Sequence, residues 1–524
     1  MNVGDVKVLP ISVFAVVVAV TLGMTWWVSR RERTASEYLA AGRSLPGPLN
    51  GLAISGEFVS AGTFLGVTGL FLLFGLDASV YLMSALAGLL LLVLVFAQRL
   101  RNIGEYTMAD VLPFRMSPRP VRAAAACSTL VIVFAYLLAQ LVGGAILFQA
   151  LAGINFVPAV ILTTVLILIY VFFGGMRAIT WVQVIKATLL LAFAIILTAM
   201  LLIEVDFDLP ALLFNAAGAS AAPSHFIGPG GLFTNPLEGI SLAIAYCLGT
   251  AGLPHLLMRF FTVTDAKQAV KSAQYALGVV GVFFAMVMLL GFGAAAVLTN
   301  SEVELAGPSG NLTMPVLAEH LGGGSGTVGG EILLAFVATV AFATILAVVS
   351  GLVIAASGAV AHDLWGNVFR KGKAQGHETV RAARVTAVIV SVLAAAATMV
   401  VGTGFNITFL TAMAFAIAAS ANLPALWLSL MWKRFNTGGA VAGIVTGLLS
   451  SVLLILVGPD VWPFGETPKD APFPLKSPAI VSVPLSFAAC WLGTILTTGA
   501  RPVRPYVELE VRAQTGIGAV TAGH

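Results

Sequence analysis

The sequence predicts an all-α integral membrane protein, and three observations carry that expectation. Of its 524 residues 59% are hydrophobic and only 10% charged, with a mean hydropathy of +1.00, whereas soluble domains hold about a quarter charged residues. The run from Ala123 to Met176 contains no Asp, Glu, Lys or Arg, room for two spans of about 20 residues each with a turn between them. The apolar runs are continuous rather than alternating, which excludes a membrane barrel.

Charges and turn residues divide these runs into about thirteen helices. They fall at roughly 9–28, 48–75, 78–98, 122–150, 155–175, 179–203, 239–261, 270–299, 330–361, 381–402, 406–431, 438–457 and 478–498. The first run, Leu9 to Val28, is of span length and is followed by "RRER", not by a small-residue cleavage site, so it reads as a retained span rather than a signal peptide. Cys127, Cys247 and Cys490 all lie inside apolar runs, with neither disulfide nor metal spacing, and read as small core residues.

The net charge of +4 is not a nucleic-acid signature, because the basic residues are sorted by loop. Of 27 Lys and Arg, all but Lys7, Lys469 and Lys476 are assigned to one side of the membrane. The positive-inside rule places that side in the cytoplasm, with the N-terminus outside, the C-terminus inside and an odd number of spans. The two long outer loops, about 204–238 and 300–329, carry Glu204, Asp206, Asp208, Glu302, Glu304 and Glu319 without a single Lys or Arg. The whole chain, 1–524, forms one transmembrane transporter domain with a cytoplasmic tail at about 499–524.

Two spans are interrupted. "LAISGEFVSAGTFLGVTG", Leu52 to Gly69, combines Glu57 with Gly56, Gly62, Gly66 and Gly69; "AYCLGTAGLPHLLMRFF", Ala245 to Phe261, contains Gly249, Gly252 and Pro254. Glycine weakens a helix and proline removes a backbone donor, so both sites release backbone groups at membrane depth. They are the second and seventh expected spans, each leading a block of five. Broken helices at matching positions of two halves point to a transporter built on inverted repeats, with half-helix N-termini facing anionic groups and freed carbonyls holding a cation. Close helix packing is the competing explanation for Gly62 and Gly66. It does not account for Glu57, which must face the interior and be partnered or protonated.

Other intramembrane polar residues are Gln140 and Gln149, His255 with Arg259 one turn on, and Asn406 and Asn422 flanking a small-residue helix. Each reads as readily as helix-helix glue, cap or packing residue. No Ser-His-Asp set, HExxH, Walker loop or CxxC pair appears, so the chain is not expected to be an enzyme. Among the cavity-facing candidates, Ser60, Thr63, Tyr246 and Thr250 offer few hydrogen-bonding side chains. A sugar would want more, since each unpaired buried hydroxyl costs about 1–3 kcal/mol. A short carboxylate needs one anion-binding end, which freed N–H groups at Gly249 to Gly252 would supply.

Five segments resemble the sodium:solute symporters: "SEYLAAGRSLPGPLNGLAISGEFVSAGTFLGVTG" (Ser36–Gly69), "YTMADVL" (Tyr106–Leu112), "GGMRAITWVQVIKA" (Gly174–Ala187), "GLPHLLMRFFTVTDAKQA" (Gly252–Ala269) and "HDLWGNVF" (His362–Phe369). Within that family, "AFATILAVVSGL" (Ala341–Leu352), "AFAIAASANLPAL" (Ala414–Leu426) and "RAQTGIG" (Arg512–Gly518) are similar to acetate permeases and related monocarboxylate transporters.

The resemblance implies the leucine-transporter fold, with a 5+5 inverted repeat at about 48–203 and 239–431 and extra flanking helices. It implies symport of a short-chain monocarboxylate, acetate first, into a bacterium across its inner membrane. A proline or pantothenate type of carrier is the alternative, and a channel or membrane-embedded sensor the reading from another class. No nucleic acid, transition metal, cofactor or obligate protein partner is expected. The implied cation site takes carbonyls of Gly56 and Val59 with Ser60 beside them, and Thr344, Ala347 and Val348 from the ninth span. Family members place hydroxyls at the last two positions, where this chain has Ala347 and Val348. The coupling ion is therefore left as sodium or a proton, with Thr344 and Glu57 as substitute oxygens or Glu57 as proton carrier. Ser60, Thr63, Tyr246, Gly249, Thr250 and Gly252 are the expected solute-binding residues.

Overall fold

The computed structural model describes residues 8–29, 37, 40–173, 175–220, 222–374, 376–462, 470–497 and 503–519. Lys7 and Lys469, and Arg30, Arg31 and Arg33 of the charge pattern, lie outside them. Helices α1 (Val8–Ser29), α2 (Gly47–Phe58), α3 (62–74) and α4 (79–103) are followed by α5 (Pro118–Ala152), α6 (Phe156–Phe173) and α7 (Met176–Glu204). After an outer loop come α8 (Pro236–Thr250), α9 (254–261), α10 (Ala266–Val297) and α11 (Val328–Gly358), which runs on in wider π-type turns to Phe369. Then follow α12 (Gly376–Val401), α13 (Ile407–Ala421), α14 (Leu423–Met431), α15 (Thr437–Leu456), α16 (Ala479–Leu496) and α17 (Tyr506–Thr515).

A helix lies at each of the thirteen expected positions. Ten helices among the described residues are long and apolar enough to cross a membrane, so the count of thirteen is not reached by length and composition alone. One reason is visible at 62–103, where two expected spans run together as 42 residues. Straight, it would be about 63 Å long against a hydrocarbon core of about 30 Å. It folds back at Gly75, whose φ of 61° only glycine adopts freely.

Burial orders the bundle from centre to lipid. In an apolar 18-residue stretch of each span, 89% of the residues are buried for Ile407–Met431 and 78% for Val328–Phe369, against 33% for Met176–Glu204 and Ala479–Leu496. The first two are therefore the centre of the bundle, and the last two present faces to lipid. Large apolar side chains such as Leu94, Phe214 and Val400 stand exposed on the outside, which suits a bilayer and not water. Of the cysteines, Cys490 is buried, Cys247 half-buried and Cys127 exposed, so Cys127 is not a core residue.

Candidate solute cavity and cation site

Helix α2 ends where Val59 turns extended (φ −73°, ψ 102°), and the chain restarts as α3 after Ser60. The break strips the Gly56 and Val59 carbonyls of their helical partners. Both accept from the ammonium of Lys186 on α7, Val59 at 2.8 Å. A side chain on Gly56 would sit 2.4 Å from the Gln183 carbonyl oxygen, so glycine is what lets α2 lie against α7 this closely. Lys186 is 2% exposed and stands about 15 Å along α7 from Met176, well inside the apolar helix. Counted by charge alone it joins the cytoplasmic lysines; the structure moves it inside the protein. The signal was available: a lysine within a run of apolar residues is a functional candidate by default.

Glu57 faces inward from the same turn and is paired with the Arg259 Nε at the end of α9. Arg259 also donates through Nη1 to the Thr180 hydroxyl on α7 (2.8 Å), and its own carbonyl accepts from Asn50 Nδ2 (3.0 Å). Gly351 of α11 covers the other side: a Cβ there would fall 2.0 Å from the Glu57 Oε1. The partner of Glu57 is thus a fully buried arginine 202 positions downstream.

The residues present do not fit a sodium ion, which needs several hard oxygen ligands. The Gly56 and Val59 carbonyls are acceptors for a side-chain ammonium, not metal ligands. The Thr344 hydroxyl donates to its own helix at Val340 O (2.8 Å), and the Ala347 carbonyl accepts from Gln183 Nε2 (2.9 Å). The side chains of Ala347 and Val348 supply no oxygen, and Glu57 is held by Arg259.

Beyond the break lies a small cavity lined by Ser60, Thr63, Tyr81, Tyr136, Tyr246, Thr408 and Thr411 among polar groups, with Phe58, Phe284 and Phe415 among apolar ones. Tyr246 stacks on Phe415 with ring centroids 4.3 Å apart, and Tyr81 meets Tyr246 edge-on at 5.2 Å. Several hydroxyls are directed at backbone carbonyls: Thr408 at Gly62 O (2.8 Å), Thr411 at Ile407 O (2.9 Å), Tyr246 at Thr408 O (3.3 Å). Ser60, beside the Tyr136 hydroxyl, and Thr63 sit at the first turn of α3.

Of the expected solute residues, Ser60, Thr63 and Tyr246 line this cavity. Gly249 and Gly252 instead face α13, where a Cβ would lie 2.3 Å from Phe415 O and 2.4 Å from Ala418 O. The Gly252 N–H is spent on Gly249 O (2.8 Å), and the Thr250 hydroxyl on Tyr246 O (2.7 Å). Gly62 and Gly66 abut the Thr411 and Thr408 hydroxyls of α13, so close packing governs them too.

Asn406 and Asn422 satisfy the broken backbone. Asn406 Nδ2 donates to Gly66 O (3.0 Å), and Asn422 Nδ2 to Gly252 O (2.8 Å). Gln149 lines a separate outer cavity, while Gln140 is fully buried in α5. His255 is buried with its ring 5.5 Å from that of Tyr136.

On the side that carries the basic loops, Arg122 bridges Asp110 (2.6 Å) and Asp363 (2.5 Å), and Thr107 donates to Asp363 (2.9 Å). This ties the 104–117 loop to the end of α11, a link between segments too distant in sequence to be read from either one.

His320 lies 2.8 Å from Glu302 and 3.0 Å from Glu204 at the end of α7. Burial alone would lower the imidazole, but hydrogen bonds to Glu302 and Glu204 outweigh it and raise it above its ordinary value. A raised histidine contributes stability that is fully present below its unfolded range and lost as pH rises through the folded value. The 300–321 loop is therefore expected to exchange amide hydrogens faster, relative to the core, as pH climbs above that value, and His320→Gln to remove this dependence. A ratio of loop to core exchange that does not change with pH in the parent protein would contradict the clasp.

Residues 38–447 match the sodium:solute symporter family. The chain is 42% identical over 508 residues to the uncharacterized symporter YwcA of Bacillus subtilis (strain 168), covering 96% of this chain and 98% of that protein. Its fold is similar to a sodium-coupled sialic acid symporter in a substrate-bound outward-open state, with TM-score 0.75 at 15% identity, over 95% of this chain and 98% of that one. It is also similar to Mhp1, a nucleobase-cation-symport-1 family transporter, in a closed conformation with bromovinylhydantoin bound (TM-score 0.53, 14% identity, 91% and 98% of the two chains). The architecture is thus the leucine-transporter-type fold that the family resemblance implies. The chain belongs to the sodium:solute symporter family, and is a multi-pass membrane transporter that couples a small solute to an ion, not an enzyme.

Proposed function

We propose that the protein imports a short-chain monocarboxylate, acetate first, into a bacterial cell across its inner membrane. The N-terminus faces outward and the tail the cytoplasm, as the sorting of basic residues favours. The observation that carries the solute class is the small, mostly apolar cavity at the break between α2 and α3. Three of its seven hydroxyls, those of Tyr246, Thr408 and Thr411, direct their protons at backbone carbonyls, which reduces what the cavity offers a polyhydroxylated solute.

The anion end lies at the first turn of α3. The leading N–H groups of a helix have no partner within it, and Thr63 and Phe64 are the first to return to Ser60 O (3.1 and 3.0 Å). The lysine ammonium on the other side of the break adds positive charge nearby. The methyl end meets Phe58, Phe284 and Phe415. This relocates the anion end from the Gly249–Gly252 segment, whose donors are already spent.

The test is uptake of radiolabelled acetate into proteoliposomes, corrected with protein-free liposomes because acetic acid itself crosses lipid. Excess propionate or pyruvate is expected to compete, and proline, pantothenate or a hexose not to. Competition by proline or pantothenate alone would replace the monocarboxylate with that solute.

A further inference from the structure

We propose that the tethered ammonium of Lys186 stands where the family's fold would hold a free sodium ion, so that coupling at this site runs on a proton and not on sodium. The inference rests on the symporter reading but not on acetate being the solute.

Three features point the same way. The carbonyls freed at the end of α2 are those expected to hold a cation, and a cation is on them, carried by α7. The facing stretch of α11 has no side-chain oxygen at Ala347 or Val348, and its Ala347 carbonyl is taken by Gln183. The nearby acid is matched separately, since Arg259 holds Glu57. The charged and titratable groups around Lys186 are therefore Glu57 of α2 and Arg259 of α9, with His255 of α9 and Tyr136 of α5 next to them. α11 contributes Gly351 against Glu57 and no charge of its own there.

A sodium ion couples by arriving and leaving; a lysine cannot leave, but it can exchange one proton. Charged, Lys186 donates to both carbonyls and pins the broken end of α2 to α7. When one N–H bond gives its proton to water on the cytoplasmic side, the neutral amine retains two protons and loses the charge that strengthens both bonds. The end of α2 is then free to move. A proton from outer water, entering through the solute cavity, restores the ammonium, so the net event is one proton carried inward per cycle.

Two measurements on the purified full-length protein decide this. In detergent, thermal unfolding in sodium chloride and in choline chloride at equal ionic strength is expected to coincide. This readout needs no solute, so it stands even if acetate is the wrong substrate. In proteoliposomes, acetate uptake is expected to follow an imposed proton gradient and to ignore a sodium gradient at equal pH.

Lys186→Arg keeps a permanent charge, and is expected to retain more of the unfolding temperature than Lys186→Met while losing proton-driven uptake to the protein-free level. Replacing the tethered cation by oxygen ligands, in Lys186→Ala combined with Ala347→Ser and Val348→Ser, is expected to create a stabilisation by sodium that the parent lacks. Stabilisation of the parent protein by sodium over choline, or uptake driven by sodium alone, would overturn the proposal. Absence of uptake under every gradient, with unfolding still indifferent to sodium, would remove acetate and leave the assignment of Lys186 standing.

Discussion

Arg259→Met is expected to abolish uptake and to lower stability by about 3–5 kcal/mol, the range for removing one partner of a buried ion pair. The guanidinium has no exposed surface and joins three elements: Glu57 of α2 through Nε, Thr180 of α7 through Nη1, and α9, on which it sits. Without it, Glu57 remains buried against Gly351 with Lys186 as the nearest cation. The carboxylate then competes with the Gly56 and Val59 carbonyls for that ammonium, which disturbs the cation position as well as the fold. Glu57→Gln should cost less, since Arg259 keeps Thr180. The double variant Glu57→Gln with Arg259→Met should be more stable than Arg259→Met alone, because no uncompensated carboxylate remains. Thermal unfolding in detergent and uptake in proteoliposomes check both statements. Parent-like stability and uptake in Arg259→Met would show that the pair holds nothing together.

The sequence made local features legible and paired features opaque. Both helix breaks were readable because glycine and proline act through their own backbones, at Gly56 to Gly62 and at Gly249 to Pro254. Glu57 stood out for a similarly local reason: an acid in an apolar run is costly wherever it lies. Its partner was not readable. Arg259 sits near the end of its own span, where an arginine is unremarkable, and only the fold brings it back to α2. Lys186 was missed for the opposite reason. It was counted with the loop charges, although it lies about 15 Å into α7, where it meets the freed carbonyls.

The departure at Ala347 and Val348 was therefore seen without its compensation. A site that lacks oxygen ligands and one that contains its own cation look alike until Lys186 is placed. The glycines of the second break were misjudged in a related way. Gly249 and Gly252 open that helix, but they face α13 rather than the solute, a direction that spacing alone does not give.

Gly56→Ala is expected to have the second large effect, because it tests the contact that brings the cation to the break. The added methyl would lie 2.4 Å from the Gln183 oxygen and 3.0 Å from the Gln183 carbon, both backbone atoms that cannot rotate away. Ordinary contact requires α2 and α7 to separate by about 1 Å, and overpacking of this kind costs about 1–3 kcal/mol. A shift of that size takes the Val59 carbonyl from 2.8 Å to beyond hydrogen-bonding reach of Lys186. Uptake should therefore fall further than the stability loss alone explains. In a Lys186→Met background the same methyl should change uptake little, since the contact it disrupts is already gone. Gly278→Ala on α10 is the matched control: a Cβ there meets nothing within 4 Å, so that variant should keep uptake and stability unchanged or gain up to about 1 kcal/mol from helix propensity. If Gly56→Ala and Gly278→Ala transported equally well, the closeness of α2 to α7 would be incidental, and Lys186 would reach the carbonyls by side-chain length alone.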